Sequence, residues 1–192
     1  KVLRDVCIQA YWQSAFAALM GASLLSTLAW VHRSPVQLGE ASLSLYAYQA
    51  FGTLIGYMAP LLYDRFARQA SPALRAWPRA ARTAMQLMAL LGVLGVVATL
   101  IWPGLARWLL PLALTSLAGV CALGARVLGV ILLARGDYVE LSRQALGRLV
   151  LAVAAVAVAA LWLESAAALA LALVVVESAT WLRSIRWLEA RA

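Results

Sequence analysis

Charge is what this sequence has least of: only 12% of its 192 residues are Asp, Glu, Lys or Arg, against 65% that are apolar. A water-soluble domain of this length has too little interior to hide so much apolar surface, so lipid is the solvent the composition requires. Cysteine is scarce as well. Cys7 and Cys121 stand far apart inside apolar runs, which excludes a disulfide framework and a cysteine metal spacing. The single histidine, His32, sits at the outer end of the first run and reads as a headgroup-level side chain, not a metal site or a switch. The acidic residues are scattered, and neither a Ser/His/Asp or HExxH arrangement nor a Gly-rich phosphate loop occurs. No enzyme, cofactor or metal is therefore expected. The sequence offers no linker, no low-complexity tract and no stretch large enough for a soluble catalytic domain. A cleavable signal peptide is not expected either, because the first run is full length and has no small-residue cleavage site. The chain begins at Lys1 rather than methionine, as a fragment, a processed chain or part of something longer would.

What the sequence does contain is apolar runs. A helix needs about 20 apolar residues to cross the hydrocarbon of a bilayer. Six stretches qualify, at about 6–30, 41–63, 83–102, 105–134, 146–162 and 165–188. The fourth is long enough to tilt or protrude. The fifth is short and almost purely Ala, Val and Leu, and the last two form a tight antiparallel hairpin.

The basic residues orient these runs. Lys1 and Arg4 precede the first. Arg65, Arg68, Arg75, Arg79 and Arg82 fall between the second and third, Arg135, Arg143 and Arg148 around the junction of the fourth and fifth, and Arg183, Arg186 and Arg191 towards the end of the chain. The opposite gaps hold only Arg33 and Arg107. Cytoplasmic loops retain Lys and Arg in this way, so both termini are expected inside, with six crossings between them. Tryptophan gives an independent depth marker: Trp30, Trp102, Trp108 and Trp162 mark outer ends, while Trp12, Trp181 and Trp187 lie towards the inner side. The net charge of +8 is accounted for by topology and by anionic lipid heads. Nucleic acid is not an expected partner, since no basic, aromatic-interleaved soluble segment exists. The one sizeable loop, 65–82, reads either as a short amphipathic piece on the inner surface or as a plain basic loop.

Polar residues inside the runs are the candidates for function. Ser42, Tyr46, Gln49, Thr53 and Tyr57 recur at spacings of four, three, four and four, so they share one face of the second helix. In lipid such a stripe must meet other helices or water: it is a set of interhelical hydrogen bonds or the wall of a solvated cavity. Gln9 and Gln13 extend that wall or lie near the headgroups. Gly52 and Gly56 form a GxxxG pattern that permits close helix approach. Arg126 lies on the order of 12 Å inside the inner end of the fourth helix, and Glu177 a similar distance inside the sixth. A charge near the bilayer middle costs ~2.5–3.5 kcal/mol on insertion scales, so each needs a partner, water or a purpose. Three readings stand open: an Arg126–Glu177 pair locking two helices, Arg126 snorkelling to the inner headgroups, or a site where Arg126 meets an anionic group or Glu177 exchanges a proton. Thr115, Gly119, Ala122 and Arg126 share a face of the fourth helix, and Pro111, Gly119, Gly124 and Gly129 suggest that it bends.

Three segments carry a resemblance. Leu38-Gly39-Glu40-Ala41-Ser42-Leu43-Ser44-Leu45, continuing through Tyr48-Gln49-Ala50-Phe51, Leu132-Leu133-Ala134-Arg135-Gly136-Asp137-Tyr138, and the stretch from Leu161 to Trp187 resemble the corresponding parts of the multidrug/oligosaccharidyl-lipid/polysaccharide flippase superfamily, in particular its bacterial polysaccharide flippases. The resemblance runs over nearly the whole chain. It departs from the family in two places: only one six-helix bundle is present where members have two, and Glu164-Ser165 stands in place of a family glycine. The fold it implies is an all-α membrane protein, a single six-transmembrane-helix bundle over 1–192 with both termini inside, like one half of such a transporter. The function it implies is one lobe of a bacterial inner-membrane flippase or exporter for a lipid-linked or anionic saccharide, working by alternating access. Its partners would be membrane lipids, the lipid-linked glycan and a second six-helix lobe. In the polysaccharide branch a cationic cavity receives the cargo's pyrophosphate, a role that suits Arg126, while Tyr46, Gln49, Thr53, Tyr57 and Gln13 would line the path of the sugar. In the drug-antiporter branch a buried carboxylate such as Glu177 would couple cation entry to cargo exit. A non-transporting membrane scaffold in a polysaccharide-synthesis or other complex is the reading from a different class.

Overall fold

The computed structural model describes residues 15, 19–31, 34–49 and 79–190. All regular elements among them are helical: α1 (Leu19–Val31) and α2 (35–49), then α3 (Arg79–Ile101), α4 (Ala106–Ala134), α5 (Tyr138–Ala159) and α6 (Ser165–Glu189). A 3-10 turn over Pro103–Leu105 joins α3 to α4. The last four helices are each long and apolar enough to cross a membrane. The described parts of α1 and α2 are shorter than a span, so the first two of the six expected crossings depend on residues outside the described set.

Helix boundaries follow local chemistry. Pro35 takes the first position of α2, where its missing N–H is no loss, and Leu38 N–H donates to Ser34 O at 3.2 Å; the helix therefore starts six residues before the apolar run at 41. α4 ends where Gly136 adopts φ +78. Its N–H donates to Leu133 O and that of Asp137 to Leu132 O, the paired bonds by which a left-handed glycine satisfies the last carbonyls of a helix. The chain then turns straight into α5 at Tyr138, eight residues before the expected start at 146. Hydropathy misses those first two turns because they are polar, yet Glu140 and Gln144 are buried against α6. α3 begins at Arg79 rather than 83, so part of the expected basic loop is helical; residues 65–78 lie outside the described set.

α4 and α6 occupy the centre. They run parallel, as successive contacts show: the Ser178 hydroxyl donates to Cys121 Sγ at 3.2 Å, and one turn on, Trp181 lies against Gly124. A Cβ on Gly124 would sit 2.6 Å from the indole ring. That glycine therefore serves close helix approach, and α4 continues as one helix through Pro111. α3 packs antiparallel on the far side of α4, with Gly95 against Ala113, and α5 packs antiparallel on α6. Alanines at 152, 168 and 172 let α5 and α6 pack closely. Met20, Leu24 and Leu28 of α1 and Ala41, Leu45 and Tyr48 of α2 complete this core. The outward surface is just as apolar. On α3 alone, Leu87, Leu90, Leu91, Val93, Leu94, Val97, Leu100 and Ile101 are exposed, a surface that suits hydrocarbon and not water.

One end of the bundle is marked by Arg107, whose guanidinium lies 2.8 Å from Glu40 and 3.8 Å from Glu164. The starts of α2, α4 and α6 are thus together, and Trp30, Trp102, Trp108 and Trp162 are all exposed. Arg107 is itself half-exposed, so these pairs contribute little stability, about 0–1 kcal/mol each. Their value is positional. Trp181 packs on Gly124 between two helices.

Candidate functional site at the middle of the bundle

Glu177 lies halfway along α6, about 18 Å from either end. Its side chain is fully buried. Oε1 accepts hydrogen bonds from Arg148 of α5 and from the Tyr48 phenol of α2. Arg148 Nη2 also donates to the Tyr48 oxygen at 3.3 Å, which closes a triangle across three helices. The cation paired with Glu177 is Arg148. Arg126, half-buried on α4, lies close enough for its charge to act on the Tyr48 phenol, so a fourth helix borders the same region. Two polar atoms in this centre are buried without a hydrogen bond: Glu177 Oε2 and Arg148 Nε.

Sequence explains why these groups converge. On α2 the core face is Ala41, Leu45 and Tyr48, spaced four and three apart, and the phenol is the polar end of an otherwise apolar stripe. Arg148 stands one helical turn beyond Gln144 and two beyond Glu140, so one face of α5 presents polar groups along its length to α6. The lower part of that face forms a second network. Glu140 accepts from Arg183 Nε at 2.9 Å and from Gln144 Nε2 at 3.3 Å, while the Ser184 hydroxyl lies 3.2 Å from Gln144 Oε1 and 2.9 Å from Thr180 O. α5 and α6 are therefore held in register at two levels by charge and hydrogen bonds. Between and above these levels the contact is apolar.

The expected site residues divide. Glu177 is at the centre described above. Tyr46 is 67% exposed, on the face of α2 turned away from Tyr48, and Gln49 is exposed with its Nε2 where a Cβ on Gly21 of α1 would meet it at 3.4 Å. Ser42 is half-buried and donates to Leu38 O at 2.8 Å. Thr115, Gly119 and Ala122 are buried on α4 along the face that leads to Arg126, and the Thr115 hydroxyl has no hydrogen bond. Gln9, Gln13, His32, Gly52, Thr53, Gly56 and Tyr57 lie outside the described residues. Sequence reasoning missed Tyr48 and Arg148 as site residues. The available signal was electroneutrality: a carboxylate deep in one apolar run demands a cation, and Arg148, immediately followed by the apolar stretch of α5, was one of the few arginines inside a run.

Among the described residues, no group of three or more His, Cys, Asp or Glu side chains comes together. Chemically the centre can hold a proton or a charge pair in a dry environment, and it can lock three helices while the pair is closed. Fold and site together define a membrane-embedded α-helical bundle with a charged midpoint. The chain matches no family model, no curated protein and no solved structure.

Proposed function

We propose that the chain is one lobe of a bacterial inner-membrane flippase or exporter for a lipid-linked or otherwise anionic saccharide. It works by alternating access against a second six-helix lobe, with both of its ends facing the cytoplasm. The observation that carries this reading is the division of α2 between two faces. One face buries Tyr48 into the charged midpoint, while Tyr46 is 67% exposed and Gln49 is exposed with its Nε2 beside Gly21 of α1. Exposed polar side chains on a helix of this bundle suit a water-filled cleft between two lobes. Arg126, half-buried and near the same helix, supplies the positive charge that a phosphate passing through the cleft requires. The closed Tyr48–Glu177–Arg148 triangle keeps α2, α5 and α6 moving as one body, which rocking of rigid bundles demands.

A second reading, a cation-coupled multidrug antiporter lobe, is favoured by Glu177 alone. A carboxylate at the midpoint with one unbonded oxygen is a place for a proton, provided the pair with Arg148 opens. A membrane scaffold would need neither charge to move.

The test is translocation of a lipid-linked glycan in vesicles reconstituted with the full protein. Arg126→Ala lowers flux by about tenfold or more, the cost of losing a charge-assisted contact to phosphate. Unchanged flux removes Arg126 from the path. Glu177→Gln that leaves pH-driven drug efflux intact removes the antiporter reading. A scaffold tolerates both substitutions.

A further inference from the structure

The far end of α6 carries a groove that the midpoint site does not use. It has a volume of about 510 Å³ and is lined, among the described residues, by Ala179, Leu182, Arg183, Arg186 and Trp187. Its character changes along the helix axis. Ala179 and Leu182 make an apolar wall, and about 10 Å further on Arg186 and Trp187 make a polar one. The two guanidiniums are not equivalent. Arg183 is already neutralised by Glu140 at 2.9 Å and lies against Gly147 of α5. Arg186 is exposed, and the ion pairs among the described residues do not include it. The groove therefore carries one uncompensated positive charge at headgroup depth, beside an indole ring and above an apolar wall.

We infer that this groove binds one anionic phospholipid of the cytoplasmic leaflet. The phosphate sits on Arg186 with Arg183 as a second donor, Trp187 packs beside the headgroup, and an acyl chain runs along Leu182 and Ala179. The charge fits this occupant, since anionic lipids concentrate on the cytoplasmic side and a basic side chain there gains from each of them. The lining fits it too: charge and indole stand together at one end and the apolar wall at the other, as headgroup and acyl chain do. The inference rests on the orientation proposed above, in which this end of the bundle is the inner one.

Native mass spectrometry of the detergent-solubilised full chain, titrated with phosphatidylglycerol or phosphatidylcholine, tests it. The first phosphatidylglycerol binds about fivefold more tightly than phosphatidylcholine, as one guanidinium near a lipid phosphate provides. Arg186→Ala removes that preference, Arg186→Lys keeps most of it, and Arg107→Ala at the opposite end leaves it unchanged. Equal binding of the two lipids by the wild-type chain overturns the inference, and so does an Arg186→Ala chain that retains the preference. In those cases Arg186 only complements the negative end of its own helix. Displacement of the lipid by glycerol phosphate at matched concentration also overturns it, in favour of a soluble phosphate. A wild-type chain with no lipid preference but normal glycan translocation removes the groove alone, whereas a wild-type chain that keeps the preference but translocates no glycan removes the lobe.

Discussion

Glu177 is the residue on which the interior depends, because it ties three helices together. Its side chain is fully buried, one oxygen is unbonded, and the other is shared by a guanidinium and a phenol. Removing one member of a buried pair leaves the other charge stranded, at a cost of about 3–5 kcal/mol. Arg148→Leu or Glu177→Leu alone should therefore lower thermal stability in detergent by that order. The double variant Arg148→Leu/Glu177→Leu should recover most of the loss, since an apolar pair of similar volume needs no desolvation. If the double variant is no more stable than the worse single one, the two charges are not a coupled pair. The carboxylate was legible in the sequence because it interrupts an apolar run. Its partners were not. Arg148 stands near the edge of such a run, where an arginine ordinarily marks a cytoplasmic end, and Tyr48 is lost among apolar neighbours because a phenol fits a hydrophobic stripe until its hydroxyl is needed.

At the scale of elements, the helices are set by their ends and by how closely they approach. The start of α6 at Ser165 and the end of α4 at Ala134 were readable from hydropathy and from the glycine that follows Arg135. The start of α5 was not, for its first turns are polar and are buried only through α6, a tertiary fact with no local signal. Glycine was ambiguous in the same way. Gly124 could serve bending or approach, and only the position of Trp181 decides for approach. Gly124→Ala puts a methyl 2.6 Å from the indole and forces α4 and α6 apart. Overpacking of this kind costs about 1–3 kcal/mol, measurable as a lowered unfolding midpoint. Trp181→Leu combined with Gly124→Ala should relieve much of it, and a Gly124→Ala chain of undiminished stability would show that the two helices are not in such close contact.

For the whole molecule, two kinds of surface separate inside from outside. α3 and the outer faces of α5 present mostly apolar side chains, with Gln86 and Arg143 exposed among them, the surface of a body held in hydrocarbon, and the exposed tryptophans among the described residues gather at the end marked by Arg107. On α2, Tyr46 and Gln49 are exposed, and the proposed function depends on what they face. The most direct measurement is a cysteine scan of α2 in membranes, in a chain from which Cys7 and Cys121 have been removed, using a charged, water-soluble thiol reagent. Tyr46→Cys, Gln49→Cys and Thr53→Cys should react, and Ala41→Cys and Leu45→Cys, both buried, should not, giving a helical period that points into water. If positions 46, 49 and 53 are as unreactive as 41 and 45, the stripe is covered by lipid or by protein, and a solvated cleft between lobes is contradicted.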